Sequence, residues 1–263
     1  MNRLALALVL VALPGCKALG FLGFGGGEDS VVVQYAVDAE TNLKLGDEHL
    51  ESRAYPEAQK YFEYVRTKFP YLEASKTAEL RLGDVDFARE KYPEARDRYN
   101  NFIKLHPTHA RVDYAAFRAA LTHFKDIPSD FFLFPAASEK DQADVRSAMN
   151  SLGDFLKTYP NSEHKAEAEG VYKQVRKRLA DHEMYVADFY RSRDRWPAVV
   201  GRLSVVERDY SDVGYDEKVY FGLYEAYSRM KEDARAKEAL RTLVQRKPDT
   251  DGARRAQKIL EKG

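Results

Sequence analysis

Few residues in this chain could do covalent or metal chemistry, and those few are scattered. His106-Pro107-Thr108-His109 places two imidazoles three residues apart, which suggests a metal. However, no HExxH, cysteine pair or carboxylate at ligand spacing accompanies them. Pro107 instead reads as a helix stop, and His109 should contact backbone at the start of the next helix. No GxSxG, Walker-type glycine loop or dinucleotide fingerprint occurs. The 42 acidic residues offer many carboxylate pairs, but no spacing singles one out. The expectation is a non-enzyme, with no metal and no cofactor beyond a covalent lipid.

Cys16 is the only cysteine, so it has no internal disulfide partner. Arg3 precedes an uninterrupted apolar run from Leu4 to Leu13, too short to span a bilayer, which needs about 20 helical residues. Leu13-Pro14-Gly15-Cys16 then resembles a bacterial lipobox, which makes 1–15 a signal peptide and Cys16 the acylated, palmitate-bearing residue. The alternative is an ordinary secretory signal with an incidental thiol. Lys17, where an aspartate would retain a lipoprotein at the inner membrane, implies the periplasmic face of the outer membrane. Residues 16–33 are glycine-rich and read as a tether; Phe21, Leu22 and Phe24 either touch headgroups or have no role.

The remaining chain is organised by a repeat. A shift of 37 residues aligns Leu45, Gly46 and Asp47 with Leu82, Gly83 and Asp84, and Tyr55-Pro56-Glu57-Ala58 with Tyr92-Pro93-Glu94-Ala95. Phe62 meets Tyr99 and Pro70 meets Pro107. Pro56 and Pro93 suit a first helical turn, where an amide N–H has no partner to lose. Pro70 and Pro107 end that helix. Gly46 and Ala58 are small where two helices meet, and Phe62 with Val65 should fill the gap to the next pair. Ala148, Leu152, Phe155 and Pro160 restate the pattern after an insertion placed near Asp126 to Gln142, which carries Phe131, Phe132 and Phe134. A long helix from about Lys165 to Arg191 and Trp196-Pro197 make a fourth unit, Leu223 to Pro248 a fifth, and Asp251 to Leu260 a cap.

The expectation is therefore all-α: a right-handed superhelix of about five tetratricopeptide-like helix pairs. Residues 34–164 should hold repeats 1–3 with the insertion, and 165–263 repeats 4–5 with the cap. Along the first helices, Leu43, Leu50, Leu80, Phe87, Tyr114 and Phe117, with Leu121, line either an apolar groove open to a peptide guest or a closed core. With 42 basic residues balancing 42 acidic ones, no nucleic-acid stripe is present.

Four stretches carry a more specific resemblance: HPTHARVDYAAFRAAL from His106, FLKTYPNSEH from Phe155, LADHEMYVADFY from Leu179 and RWPAVVGRLSVVERDY from Arg195. The chain resembles the BamD family, also called ComL-type or YfiO-type, of lipoproteins in the outer-membrane β-barrel assembly machine. The resemblance implies a non-catalytic scaffold whose C-terminal repeats dock on the periplasmic POTRA region of BamA. It implies N-terminal repeats that meet unfolded outer-membrane protein segments, with other Bam lipoproteins as further partners. Arg202 falls at the family position tied to BamA, with Arg195 and Trp196 opening the same run. FLFPAASEKDQ departs from the arginine-bearing run seen there in relatives, and Asp86 and Asn101 also differ. A tetratricopeptide lipoprotein of pilus assembly or envelope division is the alternative. In the helix after Pro197 the buried stripe should be Val199, Leu203 and Val206, leaving Arg202 beside it, facing a partner, bridged to an acidic neighbour such as Glu207 or Asp209, or simply solvated.

Overall fold

Pro56, Pro93 and Pro197 each stand in the first turn of a helix, and each of those helices pairs with the one before it. The computed structural model describes residues 33–127 and 142–262. Among them are α1 (Ala39–Glu51), α2 (Tyr55–Lys68), α3 (Glu73–Ala88), α4 (Tyr92–Leu105), α5 (Val112–Lys125) and α6 (Ala143–Thr158). Then come α7 (Lys165–Arg191), α8 (Trp196–Asp209), α9 (Asp216–Arg229), α10 (Asp233–Arg246) and α11 (Asp251–Lys262). No strand occurs among the described residues. Every helix packs against the next in sequence, and α1 also touches α3, as α5 does α7. The result is five antiparallel pairs and a terminal helix, the tetratricopeptide-type arrangement read from the repeat.

The turn inside a pair has a fixed backbone form. Arg53, Glu90, Asp194 and Lys231 adopt positive φ of 54 to 62°, the first two and the last two each 37 residues apart. In each case the next amide reaches back five residues: Ala54 to His49, Lys91 to Asp86, Arg195 to Tyr190 and Glu232 to Tyr227, at 2.8 to 3.0 Å. This is the Schellman closure, which satisfies carbonyls left open at a helix end.

The glycines explain why the pairs close tightly. A Cβ on Gly46 would lie 2.5 Å from the Phe62 ring, and one on Gly83 2.7 Å from the Tyr99 ring. Phe62 therefore fills the space inside its own pair as well as reaching α3, where it shares a core with Ala74, Ala78 and Leu82. A second cluster joins α3, α4 and α5 through Leu80, Tyr99 and Phe102. From Phe117 onward one continuous core runs to Ala256 of α11. Ala148, Leu152 and Phe155 sit in it, as the third repeat requires. Cys16, the tether, and Phe131, Phe132 and Phe134 of the insertion lie outside the described residues.

Candidate interaction surfaces

The open-groove alternative for the first helices fails. Leu43, Leu80 and Phe117 are core residues, as is Leu121. Leu50 packs on the first cluster. Phe87 lies under the Arg118 guanidinium, 3.7 Å from its carbon to the ring centre, and meets Tyr92 edge-on. Tyr114 is half-buried, and its hydroxyl donates to Asp84 Oδ1 at 2.6 Å. After α1, each first helix touches its own partner and the second helix of the preceding pair, and α1 touches both α2 and α3, so these side chains pack between helices.

A polar knot replaces the groove. The buried Asp84 carboxylate also accepts the Tyr99 hydroxyl at 2.6 Å and Arg81 Nη1 at 3.0 Å, with Arg118 Nε 3.6 Å away. Arg81 reaches Asp47 of α1 at 2.9 Å, and buried Asp86 takes Arg98 of α4. Four helices are thereby tied through a network centred on the enclosed Asp84 and Asp86 carboxylates. Burial, then the Asp84 charge, pushes both the Tyr99 and Tyr114 hydroxyls above the ordinary phenol range, so both remain donors. The repeat aligned Asp47 with Asp84, but alignment carried no sign of burial.

The two histidines serve the turns. His109 Nδ1 accepts the Arg111 amide at 3.0 Å, as expected, while its Nε2 meets Glu73; His106 Nε2 meets Glu79 at 2.8 Å. Among the described residues no three His, Cys, Asp or Glu side chains are arranged to hold a metal. Between α4, α5 and α6 lies a cleft of about 340 Å³ lined by Arg96, Ala119, His123, Asp154 and Tyr159 among others.

At the fourth pair, Val199, Leu203 and Val206 form the fully buried stripe predicted for α8. Arg202 is bridged, but not to Glu207 or Asp209. Its Nη1 donates at 3.0 Å to Glu183 Oε2 on α7, a carboxylate only 7% exposed, while Arg202 itself is 41% exposed. Glu207 instead accepts the Tyr220 hydroxyl, and Asp209 is held by Arg208. The pair joins two of the stretches that carried the resemblance, LADHEMYVADFY and RWPAVVGRLSVVERDY. Arg195 is exposed at the start of α8, and Trp196 is half-buried beneath the Arg229 guanidinium. Beside them Tyr185 and Phe189 form an exposed i, i+4 pair on α7, with Arg193 stacked 3.6 Å over the Phe189 ring.

A family model described as an outer membrane lipoprotein, YfiO, matches residues 36–260. The chain belongs to the YfiO family. That match covers every helix from α1 to α10 and nearly all of α11. Similar proteins include the outer membrane protein assembly factor BamD of Caulobacter vibrioides, 26% identical over 224 residues, 85% of this chain and 68% of that one. The BamD of Pasteurella multocida is 26% identical over 189 residues, 71% of this chain and 72% of that one. The BamD of Neisseria meningitidis serogroup B is 25% identical over 248 residues, 92% of this chain and 90% of that one. In this YfiO chain the Glu183–Arg202 pair leaves the Arg202 guanidinium half exposed, with Nη1 donated to Glu183.

Proposed function

We propose that this chain is a non-catalytic scaffold of the outer-membrane β-barrel assembly machinery. The observation that carries the reading is the match to the outer membrane lipoprotein family along 36–260, together with relatives named as assembly factors across most of their length. Its anchor is the acylated Cys16, which holds it at the periplasmic face of the outer membrane. Its partners are the POTRA region of BamA, segments of unfolded outer-membrane proteins, and other Bam lipoproteins.

The surface proposed for BamA is the exposed side of α8: Arg202 with Arg195 and Trp196. Tryptophan and arginine are among the residue types that dominate interface energetics. Arg202, held by Glu183, offers its remaining donors to a partner carboxylate or carbonyl. Capture of BamA from detergent-solubilised envelope tests this with the neutral pair Glu183→Gln/Arg202→Gln. Recovery should fall relative to wild type at matched folding, and equal recovery would remove the guanidinium from the interface.

A further inference from the structure

Seven large apolar side chains are exposed among the described residues, and five of them gather at one end of the first helices. Val37, Tyr71 and Leu105 are 95%, 99% and 66% exposed, and Tyr35 and Leu72 accompany them. Because neighbouring helices run antiparallel, the start of α1, the end of α2, the start of α3, the end of α4 and the start of α5 share this edge. Side-chain contacts confirm the adjacency. Tyr35 stacks on Tyr64 near the end of α2, with ring centres 4.0 Å apart. Glu73, after the turn bearing Tyr71 and Leu72, is bridged to His109 in the turn after Leu105. The opposite edge, at Ser52-Arg53 and Arg89-Glu90-Lys91, carries no large apolar side chain that is exposed, its Tyr55 and Tyr92 being partly buried.

We infer that this edge, Tyr35, Val37, Tyr71, Leu72 and Leu105, rests in the headgroup layer of the membrane to which the chain is tethered. Three features select a lipid surface as the occupant. First, the described chain begins on this edge, at Val33, only 17 residues after Cys16. A connection of 17 residues spans at most about 60 Å, and it enters the folded part at this edge, which therefore starts nearer the anchored residue than the opposite one. Second, the apolar groups are isolated tips on turns rather than a continuous patch. Tyrosines and leucines so placed can each dip about 5–10 Å into the interface without a shaped partner. Third, exposed Arg66, Lys68 and Lys104 flank the tips in the last turns of α2 and α4, where their long stems reach toward anionic headgroups. The Glu73 charge among them is already compensated by Lys76 and His109.

The inference rests on the lipid-anchor reading of Cys16, and its test separates the two. In the full acylated chain Cys16 is blocked, so a single new cysteine can carry an environment-sensitive fluorophore. Tyr71→Cys, Leu105→Cys and, on the opposite edge, Ser52→Cys and Lys91→Cys are labelled and reconstituted into phosphatidylethanolamine–phosphatidylglycerol vesicles. The mass of the acyl group on Cys16 and co-sedimentation report the anchor. The expected result is about a twofold rise and blue shift of emission at positions 71 and 105, with quenching by headgroup-proximal nitroxide lipids, and no change at 52 and 91. Aqueous emission at 71 and 105 in a chain that is acylated and sediments would overturn the edge and leave the anchor standing. Protection at those positions only after BamA is added would also overturn it, assigning the edge to a protein. A Cys16 without acyl mass would overturn the anchor and the edge with it.

Discussion

Arg202 shows how much a single buried neighbour changes the meaning of a surface residue. Read along α8 alone, an arginine beside the buried stripe is a solvated cation, and reversing its charge should cost within about 0.5 kcal/mol. Glu183 alters that. Arg202→Glu sets a second carboxylate against one that is nearly water-free, and we expect a loss of roughly 2 kcal/mol, discounted because Arg202 is half exposed. Urea unfolding measures it, and adding Glu183→Gln should restore most of the loss. Only after that control does reduced partner binding by the reversal bear on an interface. The same reasoning governs the inner row. Leu80→Ser and Phe117→Ser should each cost about 3–5 kcal/mol, because both side chains are fully enclosed; losses below 1 kcal/mol would restore the open groove. His123, beside the α4–α6 cleft, gives a pH prediction. Burial and then the Arg96 guanidinium 3.1 Å from its Nδ1 hold its pKa below the ordinary 6.5. Asp126 and Asp144 pull the other way without prevailing. The unfolded chain therefore binds the proton more readily, so the contribution of this group is present above about pH 6.5 and is lost as pH falls below it. His123→Gln should accordingly narrow the gap between urea midpoints at about pH 7.5 and about pH 5; an unchanged gap would contradict the shift.

At the scale of the helix pair, the sequence was informative because the repeat is enforced by backbone and shape. Pro56, Pro93 and Pro197 mark starts, Pro70 and Pro107 follow ends, and Gly46 and Gly83 face rings that leave no room for a Cβ. In the first two pairs those constraints recur at a spacing of 37 residues and survive in plain text. The turn conformation was not legible, since Arg53, Glu90, Asp194 and Lys231 share no residue type that announces a left-handed backbone. This yields an expectation: Glu90→Gly removes the strain of an L-residue at φ 60° and should raise stability by about 0.5–1 kcal/mol after the extra flexibility of the unfolded glycine is subtracted. A lower melting temperature in that variant would show that the Glu90 side chain contributes more than its backbone costs. The Asp84 knot and the Glu183–Arg202 bridge were hidden for a different reason. Both join residues on separate helices, 15 to 30 apart for Asp84 with its tyrosines and 19 apart for the bridge, at distances set by packing and not by local pattern.

For the molecule as a whole, the balance of charge, the repeat and the absence of a catalytic constellation all favoured a protein that works by presenting surfaces. Of the two alternatives for the inner row, an open apolar groove or a closed core, the burial of Leu43, Leu80, Phe117 and Leu121 fits the core. Among the described residues, large apolar side chains are exposed at Tyr185 and Phe189 of α7 and at the turn edge around Tyr71 and Leu105, and the Arg202 guanidinium is half exposed. The proposed tether and the proposed docking face on the fourth pair would together suit a scaffold that holds a second protein at a membrane. Affinity capture of the full acylated chain from detergent-solubilised envelope tests whether it works in the barrel assembly machine. BamA should be recovered with it in stoichiometric amount; a folded, acylated chain recovered without BamA, or with pilus or division proteins in its place, would overturn the proposed function.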